Sequence, residues 1–124
     1  MDVIHTSIWV SDLQETLEFL VDGIGLKITR SFTLNGVENV YVGGTNGEIQ
    51  LRYDPERPNP EPDRAALDHI AIAVNDVDTE VECIVDRTHC NVVDGPTTVD
   101  DADARVAFLE DPDGYVIELV ESVV

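Results

Sequence analysis

Positive charge is what this chain has least of. Lysine occurs once, at Lys27, and arginine six times, against 15 Asp and 11 Glu, for a formal net charge of −19. Such a chain offers no electrostatic footprint for nucleic-acid phosphates or for an anionic membrane surface. Cysteine is nearly as scarce. Cys83 and Cys90 show no framework spacing and form no Cys-x-x-Cys pair, which excludes a disulfide scaffold and leaves two reduced thiols. Long apolar runs are missing too, as is a basic stretch followed by an apolar segment near Met1. A soluble, cytoplasmic protein is therefore expected.

What is present is an ordinary globular composition. The 124 residues are 43% apolar, enough for one domain with a real core and too few for two independent ones. The acidic residues are spread along the whole chain. Their mutual repulsion loosens a fold in dilute salt, whereas molar salt reduces the Debye length to about 3 Å and screens it. The composition is read as adaptation to a salt-filled, halophilic cytoplasm, with an acidic surface that needs counterions.

The chain also repeats itself 64 residues apart. His5-Thr6-Ser7-Ile8-Trp9-Val10 returns as His69-Ile70-Ala71-Ile72-Ala73-Val74, and Leu17, Leu20, Val21 and Asp22 fall on Val81, Ile84, Val85 and Asp86. A duplicated unit this short predicts a single domain, residues 1–124, built from two similar modules. Module 1 covers about 1–54 and module 2 about 67–124. The proline-rich stretch 55–66 links them.

Alternation and β-branched residues predict a strand over 3–10, then a helix over about 12–22 capped by Ser11 or Asp12 and closed by Gly23 and Gly25. Strands follow at 26–33, 37–43 and 47–53, with Asn35-Gly36 and Asn46-Gly47 as turns. The second module repeats the plan: a strand at 67–74, a helix near 76–88, and strands near 91–97, 104–110 and 115–121. The expected fold is α+β, two tandem βαβββ modules whose sheets form a cupped cleft.

Period-two alternation decides what lines that cleft. Ile4, Ile8 and Val10 take the helix side of the first strand, leaving His5, Ser7 and Trp9 opposite. Glu48, Gln50 and Arg52 share the corresponding face of the fourth. In module 2, His69 and Glu118 hold the matched positions, so two histidines, an amide and a carboxylate stand at equivalent points. A lone strand histidine is more often a structural residue than a ligand. Repetition in register, paired with Gln50 and Glu118, favours one divalent metal ion held by two nitrogens and two oxygens: Ni, Co, Zn, Mn or Fe.

These residues, with Phe19, Gly25-Leu26 and the ending Phe108-Leu109-Glu110-Asp111-Pro112-Asp113-Gly114-Tyr115-Val116-Ile117-Glu118-Leu119, resemble the vicinal oxygen chelate superfamily (glyoxalase I, bleomycin resistance and dioxygenase type). The resemblance spans essentially the whole chain and is nearest to the small glyoxalase I enzymes, which are lactoylglutathione lyase-like. It implies that His5, Gln50, His69 and Glu118 fall on four metal-ligand positions, and that the protein is a homodimer acting on a small molecule. A divalent ion stabilises an enediolate as its charge develops, and a weakly bound carboxylate moves a proton between neighbouring carbons. Glu118 is the expected base. The reaction implied is isomerisation of a 2-oxoaldehyde–thiol hemithioacetal to an S-lactoyl thioester.

Three departures qualify that picture. Gln50 stands where typical bacterial glyoxalases carry glutamate, and an amide is no base; Glu48, on the same face, is a candidate substitute or a solvated residue. Trp9 and Asp54 replace the arginine and asparagine of glutathione-using enzymes, which points to a different small thiol, or none. The His/Gln/His/Glu set also resembles methylmalonyl-CoA epimerase, although the Asp111-Pro112-Asp113-Gly114 turn does not. An extradiol-type iron dioxygenase would use His5, His69 and Glu118 but leaves Gln50 where an open position is needed. A metal-free binding protein would not need all four ligand-type residues. Trp9 either lines a substrate pocket or fills the cleft. Arg52 and Arg105 are anion handles or, more commonly in so acidic a chain, members of surface ion pairs.

Overall fold

The computed structural model describes residues 3–58 and 67–122; most of the linker therefore lies outside the described residues. The chain divides into two compact units, Met1–Glu61 and Pro62–Val124. Each is a four-stranded sheet with one main helical segment, and the second also has a short 3-10 turn at Asp100–Ala102.

In the first unit, β1 (His5–Trp9) leads into α1 (Leu13–Leu17), which continues as a π-helical segment over Glu18–Ile24. Strands β2 (Lys27–Leu34), β3 (Val37–Gly43) and β4 (Glu48–Tyr53) follow. The sheet order is β1-β4-β3-β2, with β1 and β4 parallel and the other neighbours antiparallel. In the second unit, β5 (Ile70–Ala73), α2 (Val77–Thr88), β6 (Val92–Val99), β7 (Ala104–Glu110) and β8 (Val116–Ser122) give the equivalent order β5-β8-β7-β6. The duplication seen in the sequence is thus a duplication of βαβββ topology.

The two helices begin in the same way. Asp12 and Asp76 are extended N-caps with φ −144° each, and their carboxylates accept the backbone N–H of Glu15 at 3.0 Å and Thr79 at 3.1 Å. Such a bond satisfies an otherwise orphaned donor and stabilises a helix by about 1 kcal/mol. The helices end differently from one another. The Gly25 N–H reaches back five residues to the Leu20 carbonyl, so the first closes through a widened turn, with Gly25 at φ +100°. His89, at φ +56°, closes α2 through an N–H bond to the Val85 carbonyl at 2.8 Å.

One face of each sheet is packed. In the first unit Ile8, Val42, Ile49 and Leu51 are buried, with Thr16, Phe19 and Leu20 from the helical segment. In the second, Leu109, Ile117 and Leu119 are buried, as are Val77, Val81 and Ile84 of α2. Burying each such aliphatic side chain contributes roughly 1.5–3 kcal/mol, which fixes which face of each strand is turned away.

Several expectations need correcting in detail. Ile4 precedes β1 and is 64% exposed, so it does not join the core. The strand expected over 67–74 is shorter, Ile70–Ala73. Asn35-Gly36 forms the expected turn with both residues at positive φ, 52° and 80°, as a two-residue hairpin requires. Asn46-Gly47 shows no such φ; that connection closes instead through a Gly44 N–H bond to the Gly47 carbonyl at 3.4 Å. Cys83 and Cys90 are free and only half-buried.

Candidate metal centre

The packed faces leave the opposite faces to carry chemistry. In the first unit the parallel β1–β4 register sets His5 beside Glu48, Ser7 beside Gln50 and Trp9 beside Arg52. The next strand places Tyr41 against Gln50 and Asn39 against Arg52. His5, Gln50, Glu48, Trp9 and Arg52 therefore share one sheet face, as expected.

Gln50 is held at both ends. Asn39, 2% exposed, donates through Nδ2 to the Val37 carbonyl at 3.1 Å, an acceptor only, so its Oδ1 must point the other way. That oxygen accepts from Gln50 Nε2 at 2.9 Å and from Arg52 Nε at 3.2 Å. Gln50 Oε1 is left facing Ser7, whose hydroxyl donates to it at 2.6 Å. The ligand-type oxygen of the amide is thus oriented by its neighbours. His5 stands edge-on to Tyr41, with ring centroids 5.5 Å apart at 88°. Glu48 accepts the Thr29 hydroxyl at 2.6 Å. The guanidinium of Arg52 lies 4.4 Å above the Trp9 ring, and that of Arg30 lies 3.9 Å above Tyr41.

The second unit repeats the arrangement with a sharper outcome. His69 stands edge-on to Phe108, 5.8 Å at 86°, and Phe108 lies opposite Glu118 as Tyr41 lies opposite Gln50. The position equivalent to Ser7 is Ala71, the register partner of Glu118. With no hydroxyl there, the Glu118 carboxylate meets His69 directly, Nε2 to Oε2 at 2.7 Å. The other ring nitrogen, Nδ1, faces Asp68 Oδ2 at 2.8 Å.

Those two contacts test whether the residues suit a metal ion. A neutral imidazole has one N–H and can satisfy one carboxylate. The second contact needs an added proton or a cation between two lone pairs. With Nδ1–H given to Asp68, Nε2 is left as a Lewis base beside a carboxylate, the outer support usual for a metal-ligating histidine. The donor set fits a divalent ion.

Another acidic group, Asp76, Asp78 and Glu121, brings its oxygens within 4.8 Å of one another. Its carboxylates already serve the fold. Asp78 takes two bonds from Arg105, at 2.7 and 2.9 Å, and is held below the usual carboxylate range by that partner. Asp76 caps α2, and Glu121 accepts the Val77 N–H at 2.7 Å. Arg105 is accordingly an ion-pair residue.

The turn before β8, the strand that carries Glu118, is built on Asp111. Asp111, 6% exposed, accepts the N–H groups of Asp113 and Tyr115 through Oδ1 at 2.9 and 2.8 Å, while its Oδ2 is buried without a partner. Burial raises its pKa to about 6.

Ser7, Asn39 and Asp68 were not among the sequence candidates. Asp68 could have been found as the acid adjoining His69. Asn39 carried a weaker signal, one amide beside Val40, Tyr41 and Val42.

The match to the Glyoxalase/Bleomycin resistance protein/Dioxygenase superfamily runs over residues 3–119, and the chain belongs to that family. Among curated relatives, the lactoylglutathione lyase of Haemophilus influenzae is 33% identical, the alignment covering 98% of this chain and 93% of that one. The lactoylglutathione lyase of Escherichia coli O157:H7 is 34% identical, with the same two coverages. The trypanothione-dependent glyoxalase I of Leishmania major superposes with a TM-score of 0.79 at 28% identity, over 98% of this chain and 86% of that one. The chain is thus a glyoxalase I-like member of the superfamily. No helix among the described residues is long and apolar enough to cross a membrane.

Proposed function

We propose that the protein is a metal-dependent lyase/isomerase of glyoxalase I type, converting the hemithioacetal of a 2-oxoaldehyde and a thiol into a 2-hydroxyacyl thioester. The observation that carries this reading is the His69–Glu118 contact, repeated in position by His5 and Gln50 in the other half of a duplicated fold. In this reading the two modules act as one domain, and His5, Gln50, His69 and Glu118 share one divalent ion. When bound, the ion supplies a Lewis acid that stabilises negative charge on substrate oxygens.

The chain's own residues do the rest. Glu118 is the base: it takes the proton from the hemithioacetal carbon, passing through an enediolate, and returns it to the neighbouring carbon. Gln50 provides an oriented neutral oxygen and no second base. His69 is fixed by Asp68, and Tyr41 and Phe108 brace the two imidazoles. The thiol is one other than glutathione, given Trp9 and Asp54 at the positions noted above.

The amide at Gln50 also supports a second reading, proton transfer beside a thioester carbonyl as in methylmalonyl-CoA epimerase, which needs one carboxylate base. We place the protein in a salt-rich cytoplasm. It acts as a homodimer, a state supported by the outer strands β2 and β6, which leave Ile28, Phe32, Leu34, Val92, Val93 and Val99 exposed.

Metal analysis of protein purified in high salt tests the site. Isomerisation of methylglyoxal with several thiols, run beside methylmalonyl-CoA epimerisation, tests the reaction. Bound divalent metal with thiol-dependent isomerisation is expected. Metal-free protein, inactive with every thiol after reconstitution, would end the reading.

A further inference from the structure

Arg52 is a cation on the same sheet face as the candidate ligand Gln50. Arg105 has its charge met by Asp78, whereas Arg52 forms no salt bridge with a described residue. What holds it is neutral: the Asn39 amide oxygen at 3.2 Å and the Trp9 indole, 4.4 Å from the guanidinium carbon to the ring centroid. Arg30, over Tyr41, also has no salt bridge with a described residue; what sets Arg52 apart is that the amide holding it also holds Gln50. The residue is half-buried, and Trp9 remains 37% exposed.

The hydrogen bonding also says which part of the guanidinium is committed. Asn39 takes Nε, so binding capacity rests on Nη1 and Nη2, the edge that meets a carboxylate with two parallel bonds. Stacking on indole orients the planar fork without neutralising it. The same Asn39 oxygen also holds Gln50, so the cation and the candidate metal ligand are positioned by one buried amide.

The geometry points to Arg52 as a specificity-determining residue that binds a carboxylate on the substrate's thiol arm, with Trp9 and Asn39 as positioning residues. This deepens the isomerase reading and rests on it for the substrate's identity, but the anion site has a readout of its own. Trp9 is the single tryptophan, so its emission reports on a ligand placed against Arg52.

The test uses the full chain at constant KCl and two probes, 3-(methylthio)propionate and its methyl ester. The carboxylate gives a saturable change in Trp9 emission, and the ester does not. Arg52→Met weakens the titration about tenfold, the effect of losing a charge-assisted bond, and Arg52→Lys restores part of it. In turnover, the ratio of kcat/KM for methylglyoxal with 3-mercaptopropionate over 2-mercaptoethanol falls by a similar factor in Arg52→Met, through KM. Identical titrations and an unchanged ratio in wild type and Arg52→Met would overturn the assignment while leaving the isomerase reading intact. An Arg52-dependent titration in a protein that turns over neither hemithioacetal would support the anion site and remove the isomerase.

Discussion

The Ser7 hydroxyl donates to Gln50 Oε1 at 2.6 Å, a bond that Ala71, its equivalent in the second module, cannot offer to Glu118. One module therefore orients a neutral oxygen, and the other leaves a carboxylate in contact with histidine. A carbonyl oxygen has two lone pairs, so Ser7 can hold Gln50 while the second pair ligates. Ser7→Ala is expected to weaken divalent-metal affinity by about tenfold, as loss of an orienting partner does, with little change in thermal stability. Competition against a chromophoric chelator measures it, and equal affinities would show that Ser7 orients nothing.

Gln50→Glu looks like a return to the commoner glyoxalase residue, yet the surroundings oppose it. Asn39 Oδ1 accepts from both Gln50 and Arg52, and Val37 prevents the amide from turning. A carboxylate would set two acceptors against each other at a position where the partner is buried. The variant should lose about 1–3 kcal/mol of stability in chemical denaturation. Combining it with Asn39→Asp, which adds a further negative charge, should be worse than either change alone.

Glu118→Gln keeps the shape and removes the proton acceptor. Isomerisation should fall about 10²–10⁴-fold in kcat, the span for loss of a positioned base. Glu48→Gln, whose carboxylate is held by Thr29, should change the rate far less. Comparable losses in the two variants would mean that Glu48 takes part.

Asp111 gives a pH signature. Its ordinary pKa is 3.8, and burial raises it to about 6 in the folded chain. The folded state then binds this proton more tightly than the unfolded state, so the contribution of Asp111 to stability rises as pH falls from about 6 towards 3.8. Above that window the buried charge is fully present and opposes folding. Urea unfolding of wild type and Asp111→Asn at matched salt should show their stability difference shifting towards wild type between pH 7 and 4. A difference that stays flat would place the ionised form in the fold throughout.

Much of this was legible in the sequence, for local reasons. Strands β3 and β7 fall on their expected spans, 37–43 and 104–110, because each is a run rich in apolar residues bounded by turn residues. Ser11-Asp12 and Asn75-Asp76 both offer helix caps, and the aspartate is the one used in each pair. The π-helical widening at Glu18–Ile24 was not legible, since one extra residue in a turn barely alters the hydrophobic pattern. The supports of the candidate site were hidden for a different reason. Ser7 and Gln50 are 43 residues apart, and Asn39 and Arg52 meet only through the registers of β1, β3 and β4. Non-local register is what a single sequence encodes least directly. Arg52 shows the consequence: the fold sets it against Trp9 and Asn39, with no salt bridge to a described residue.

The remaining prediction concerns salt. With −19 formal charges on 124 residues, mutual repulsion acts over a Debye length of about 30 Å in 0.01 M salt and about 3 Å in 1 M salt. Raising KCl across this range should increase Tm, and a gain of about 2 kcal/mol corresponds to roughly 8 °C in a chain of this length. KCl and NaCl should act alike at equal ionic strength, because screening is indifferent to which cation supplies it. A Tm independent of salt would show that the acidic residues are dispersed widely enough not to repel, and the halophilic reading of the composition would fall.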